Sequence, residues 1–341
     1  LARQAAAWLD ACDDTEASVE QLAAVLGISS RHLRRIFMAE HGVSPLQYLQ
    51  TRRLLLAKQL LTDSALPVSE VAHAAGFASQ RRFNAAFLAH YRMQPLALRR
   101  TGRAGLELAG PAACLRLAYR EPYDVAGLLA FLLPRAVAGV ERVDVAAATV
   151  QRTVALRHAG KLHAGWLRVE FKRPGQVDVY LSAALWPAVA SLLPLLRRWL
   201  DLDAEPQVIA TALGEGSAAG LRLPGCLDRF ELAVRAVLGQ QVTVAAARTL
   251  AGRFVARFGD SLADGAEGTD RLFPSAQCMA QVPAEQIAEL GIIRRRADSI
   301  VELARRWPEL AYSQSTARLQ GSTDMALAEL QSIAGIGPWT A

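Results

Sequence analysis

The chain has 341 residues, of which 52% are hydrophobic and 21% charged, with a formal net charge of +6. That length holds two or three domains, and the composition supplies real cores and excludes a disordered chain. The charge is uneven: residues 1–103 carry 13 Lys+Arg against 8 Asp+Glu, the remainder 25 against 24, so the first third points to a nucleic-acid partner. Four scattered cysteines (Cys12, Cys114, Cys226, Cys278) form no C-x-x-C pair. We therefore expect no metal, no cofactor and reduced thiols in a cytoplasmic protein. The apolar run Leu181–Leu196 is broken by Pro187 and Pro194 and is too short for a bilayer, and no signal peptide is read, so no membrane partner is expected. The chain opens in a helical pattern at Leu1 and stops in one at Ala341, and truncation at both ends is the expectation.

Residues 1–103 contain an internal repeat. Val19 to Gly27 (VEQLAAVLG) is answered 49 residues later by Val68 to Gly76 (VSEVAHAAG). Gly27 and Gly76 permit a sharp turn, and Ser29 and Ser79 then suit the cap of a following helix. Leu33, Ile36 and Phe37 in one copy, and Phe83 and Phe87 in the other, recur at helical spacing. The copies therefore predict two helix-turn-helix units, the second with one extra turn residue, joined by a long helix over Tyr48–Leu61. Arg31, His32, Arg34 and Arg35 lie on the polar face of one second helix, and Gln80, Arg81, Arg82 and Asn84 on the other. Such side chains read base edges or hold phosphates, and the residue types alone leave both roles open. Two such helices about one DNA turn (~34 Å) apart suit adjacent major grooves. With the stretch Ala74–Ser79 (AAGFAS) followed by Phe83 and Phe87, residues 15–100 resemble the DNA-binding domain of the AraC transcription-factor family. The resemblance implies double-stranded operator DNA as partner, and RNA polymerase if the protein activates transcription.

Past the Gly-rich link Thr101–Pro111 the pattern changes. Leu115–Tyr119 alternates like a strand, Tyr123–Gly139 looks helical, and Val150–Val154, Trp166–Phe171 and Val177–Leu181 return to strand patterns before a Leu-rich helix over Trp186–Leu200. Residues 112–215 are thus expected to be a small α+β subdomain. The segment Tyr119–Asp124 (YREPYD), with Phe131 in the following helix, resembles the N-terminal region of the 3-methyladenine DNA glycosylase II (AlkA-type) family.

Residues 216–341 are expected to be a helical domain, which makes the whole chain mainly α with one small α+β part. Phe230, Val234 and Val237 share a helical face and read as core. Core packing does not call for the Gly239-Gln240-Gln241 turn between two helices. In the resembled family this loop faces the minor groove and supplies the side chain that fills the gap left by a flipped base. That wedge is apolar in well-known relatives, whereas Gln241 holds the matching position here, with Gln240 beside it. Arg294, Arg295 and Arg296 suit phosphates or a solvated face equally.

The last twelve residues, from Leu330 to Ala341 (LQSIAGIGPWTA), predict a helix, a Gly-x-Gly turn and the start of a second helix after Pro338. Gly335 and Gly337 can take positive φ and admit another backbone, and the opening helix presents unpaired N–H groups, with Thr340 beside them, to an anion. Taken by itself such a turn is common. Its setting resembles the helix-hairpin-helix of the DNA glycosylase superfamily, which grips a DNA phosphate. The resemblance implies a base flipped from the stack and an aromatic surface, Trp339 with Phe131, for a cationic alkylated base. Strand-cleaving relatives place a Schiff-base lysine where Trp339 stands, and no lysine follows Lys172, so a monofunctional enzyme is implied. The family's catalytic Asp falls about twenty residues past the hairpin, beyond Ala341. No catalytic residue is named here, and residues 1–341 by themselves are expected to turn over poorly. The reading is a glycosylase for 3-methyladenine-type lesions fused to a regulator of the alkylation response. The alternative is a transcription factor with a catalytically silent glycosylase-like clamp.

Overall fold

The computed structural model describes residues 1–11, 18–64, 66–102, 113–158, 160–214, 219–266, 268–310 and 323–341. Cys12 and most of the Gly-rich link lie outside the described residues. The first third is helical: α1 (Ala2–Ala11), α2 (Val19–Val25), α3 (Ser30–His41), α4 (Pro45–Asp63), α5 (Val68–Ala74), α6 (Gln80–Tyr91) and α7 (Pro95–Gly102). The repeat folds as two helix-turn-helix units because its punctuation is local. Gly27 and Gly76 turn at φ +66° and +80°. The Ser29 hydroxyl then accepts the His32 N–H at 3.2 Å, and that of Ser79 accepts the Arg82 N–H at 3.3 Å. Ser44 and Gln47 form a capping box at the head of α4, which runs the full distance between the units.

The two units differ in what they pack against. The first closes on itself and α1, burying Ala5, Leu9, Leu22, Leu33, Phe37 and Leu49. The second buries Leu54, Leu61, Val71, Phe83 and Phe87, and this interior continues unbroken into Leu115, Leu117, Val169, Val179, Leu185 and Trp186 of the next part. A β-bridge from Ser64 to Leu115 ties the end of α4 to that part.

The α+β part is an antiparallel sheet of β1 (Ala113–Ala118), β2 (Glu141–Asp144), β3 (Thr149–His158), β4 (Lys161–Arg173) and β5 (Gln176–Leu181), in the order β1-β5-β4-β3-β2. Register pairs Thr153 with Trp166 and Val169 with Val179. The helix expected over Tyr123–Gly139 is shorter. Asp124 caps α8 (Val125–Leu132), and a 3₁₀ turn at Leu133–Arg135, holding Pro134 with its missing N–H, ends it. The expected Trp186–Leu200 helix is α9 (Val189–Trp199) behind a 3₁₀ segment, and α10 (Pro206–Leu213) follows.

The last part holds α11 (Arg229–Leu238), α12 (Val244–Phe258), α13 (Ala276–Met279), α14 (Ala284–Ala288), α15 (Arg294–Arg306) and α16 (Thr323–Gln331). Phe230, Val234 and Val237 do face its core, with Phe254, Ile300, Leu303, Ile333 and Ile336. A β6 (Ser261–Ala266)–β7 (Thr269–Arg271) hairpin interrupts the helices. It leans on the sheet: the Thr153 hydroxyl donates to the Arg271 carbonyl at 2.6 Å, and Gln151 Nε2 to Thr269 Oγ1 at 2.5 Å. Among the described residues no helix is long and apolar enough to cross a membrane.

Candidate nucleic-acid interface

The hairpin after α16 is built from both sides. Leu330, Ile333 and Ile336 are buried and root it in the helical core. Of its two glycines only Gly335 takes a positive φ, +90°. A Cβ at Gly335 would overlap Ser299 Oγ of α15, which donates to the Ala334 carbonyl at 2.6 Å. Gly335 is therefore needed for conformation and for close approach. At Gly337 a Cβ would meet nothing within 4 Å, so this glycine leaves an open backbone face. Beyond it the Thr340 and Ala341 N–H groups both donate to the Gly337 carbonyl, at 2.9 and 3.1 Å, closing a helical turn that starts at Pro338.

Opposite stands the turn between α11 and α12. Gln241 is exposed and sits at φ +52°, a left-handed conformation uncommon for a residue of its type. Gln240 turns inward. Its Nε2 donates to the Gly335 carbonyl at 2.8 Å and to Thr340 Oγ1 at 2.9 Å, while its own carbonyl accepts from Arg296 Nη2. Arg296 is buried, so of the three arginines at the head of α15 this one does not form a solvated charge run. Arg294 pairs with Glu285 and Asp298 at the surface.

Phe131 and Trp339, expected together at the flipped base, stand apart among the described residues, and Phe131 is the one beside a cavity. Phe131 is part-exposed and lines a cavity of about 370 Å³ with Trp199, Leu232, Arg235, Val242 and Arg248, and the Arg135 guanidinium lies 3.9 Å from its ring centre. Trp339 does not line that cavity. It lies in the turn after Pro338 and is exposed among the described residues.

Sequence reasoning missed the charged wall of this cavity. Arg152 of β3 donates to Glu141 of β2 at 2.8 Å and to Glu231 of α11 at 2.6 Å, and Arg235 donates to Glu141 at 3.0 Å and to Glu231 at 2.8 Å. This closed ring of two cations and two anions joins the sheet to the helical domain. Burial opposes the Glu231 charge, but Arg152 and Arg235 overcome it and hold its carboxyl below the usual range. Asp228, which caps α11 by accepting the Phe230 N–H at 2.8 Å, is pushed up to about 6, first by burial and then by Glu231. A signal existed: Glu231 and Arg235 stand four apart beside the apolar face of one helix.

In the helix-turn-helix units, Arg31, Arg34 and Arg35 are exposed on α3, and Gln80, Arg81 and Arg82 on α6. His32 and Asn84 are half-buried. Arg34 pairs with Glu20 of α2 at 3.2 Å, and Arg35 hydrogen-bonds His32 Nδ1 at 3.1 Å, so part of the α3 face is engaged internally.

Residues 22–101 match the model of a helix-turn-helix domain, 114–228 that of the AlkA N-terminal domain, and 234–331 that of the HhH-GPD superfamily of base excision DNA repair proteins. The chain is 34% identical over 336 residues to a probable bifunctional transcriptional activator/DNA repair enzyme AlkA of Mycobacterium tuberculosis, an alignment covering 95% of this chain and 65% of that protein's length. It is 36% identical over 227 residues to the DNA-3-methyladenine glycosylase 2 of Escherichia coli, covering 66% of this chain and 77% of that one. The fold is also that of a 3-methyladenine DNA-glycosylase from Archaeoglobus fulgidus, with TM-score 0.51, 21% identity, and coverage of 66% and 76% of the two chains. With a helix-turn-helix region fused ahead of the two glycosylase regions, this chain belongs to the DNA-3-methyladenine glycosylase 2 family, and it spans 65% of the length of the bifunctional relative it matches.

Proposed function

We propose that this chain joins a sequence-reading regulator of the alkylation response to a glycosylase that hydrolyses the N-glycosidic bond of 3-methyladenine-type bases in duplex DNA. The observation that carries the reading is the hairpin: an αL Gly335 packed on Ser299, an open Gly337, and a helical turn beginning at Pro338. That surface suits a DNA phosphate. Gln241, presented at positive φ, enters the gap in the duplex, and the Trp339 ring receives the flipped cationic base. The C1′–N bond breaks, its electrons neutralise the departing base, and water adds at C1′ with loss of a proton. Trp339 occupies the place of a Schiff-base lysine, so the product is an abasic site in an uncut strand. Residues of α3 and α6, Arg31, Arg35, Gln80, Arg81 and Arg82 foremost, meet operator DNA, and RNA polymerase is the protein partner of the activator half.

Base release from methylated duplex DNA tests the reading, with residues 1–341 compared against the full-length protein. Release confined to the full-length protein would put the catalytic carboxylate outside residues 1–341. In that protein Trp339→Ala is expected to lower release by about 100-fold, the order seen when one transition-state contact is removed, with operator binding unchanged. Equal loss of both would refute the assignment of Trp339. Tight duplex binding with no release from any form would favour the silent clamp.

A further inference from the structure

We infer that Gln240 is a positioning residue that locks the gap-filling turn to the phosphate-gripping hairpin, so that Gln241 and the phosphate move in register. The inference rests on the glycosylase reading above. Gln240 spends both amide hydrogens on the hairpin, one on the Gly335 carbonyl and one on Thr340 Oγ1. These two acceptors lie on either side of the open Gly337, so the bonds clasp both arms of the turn that would hold the phosphate. Behind the loop, buried Arg296 donates to the Gln240 carbonyl, while Ser299, one turn later on α15, donates to the Ala334 carbonyl at 2.6 Å. Helix α15 therefore supports the turn and the hairpin together. The neighbouring Gln241 is held in its left-handed conformation at the free tip of this assembly. A duplex gripped at the hairpin meets Gln241 at a set distance only while the Gln240 clasp is closed. The clasp thus converts phosphate binding into placement of the wedge.

The test uses full-length protein and a duplex carrying 2-aminopurine beside an alkylated base, reading duplex affinity, extrusion fluorescence and single-turnover base release. Gln240→Ala is expected to leave affinity within about 3-fold of wild type and to lower extrusion and release about 30-fold, the order set by losing two neutral hydrogen bonds. Thr340→Val removes one bond from the other side and should lower release about 5-fold. The double variant should be no worse than Gln240→Ala, since the pair acts as one contact. Wild-type extrusion and release in Gln240→Ala, loss of affinity in proportion to release, or additive effects in the double variant would each overturn the inference. Should Gln240→Ala fail to fold, Thr340→Val, which keeps the Gly335 bond, decides on the same readouts. A wild-type protein that releases no base would instead sink the glycosylase reading, and the extrusion signal would still decide the clasp.

Discussion

Replacing Gly335 by alanine separates two reasons for a glycine in the hairpin. At φ +90° a side chain meets the backbone repulsion of the left-handed region, about 1–2 kcal/mol. Its Cβ would also overlap Ser299 Oγ, so that hydroxyl must swing away and give up its bond to the Ala334 carbonyl, about 1 kcal/mol more. The total is about 2–3 kcal/mol of folding stability, read as the difference in urea unfolding between wild type and variant. Ser299→Ala in the Gly335→Ala background should recover part of the loss, because the obstructing oxygen is gone. Gly337→Ala is the matched control. Its Cβ would enter open space at a negative φ, so stability should stay within about 0.5 kcal/mol while duplex affinity falls, the new methyl standing at the proposed phosphate site. If Gly335→Ala unfolds like wild type, or if Gly337→Ala is the more destabilised, the assignment of one glycine to packing and the other to the ligand is wrong.

Three further outcomes follow from the buried charges and the turn. Asp228 has its folded pKa raised to about 6 from 3.8, so it penalises folding as pH rises through that window and not below it. Asp228→Asn keeps a competent cap and should gain nothing near pH 4 but up to about 3 kcal/mol above pH 7; a gain independent of pH would refute this. Glu231→Gln leaves Arg152 and Arg235 short of negative charge in a buried ring, and thermal or urea unfolding should report a loss of about 3–5 kcal/mol. Gln241→Gly relieves the αL strain and should leave stability equal or higher while lowering extrusion of the target base, measured by 2-aminopurine fluorescence.

What could be read from the chain beforehand was the part written in neighbouring residues. Gly27 with Ser29 and Gly76 with Ser79 encode their turns and caps within three residues, and Leu330 to Thr340 encodes the hairpin within twelve. The core face of α11 was legible from apolar period, and of α4 (Pro45–Asp63) the stretch Tyr48–Leu61 was read as helix. Contacts between distant positions were not. Gln240 reaches Gly335 across 95 residues, and Arg152 reaches Glu231 across 79, and no local pattern announces either bond. The β6 strand escaped notice because Ser261–Ala266 (SLADGA) has none of the branched or aromatic residues that strands favour. Phe131 and Trp339 were paired by resemblance, and of the two only Phe131 lines the cavity beside Trp199.

The interior that Phe83 and Phe87 share with Leu115, Val169 and Leu185 has a genetic consequence. Under the proposed pair of functions, an allele that hollows this interior damages gene regulation and repair in one stroke. Alleles in the first unit, whose interior is its own, silence regulation and spare repair. Among loss-of-regulation mutants with substituted core residues, those up to Leu49 should keep base release by the purified protein, and those from Leu54 onward should lose it too.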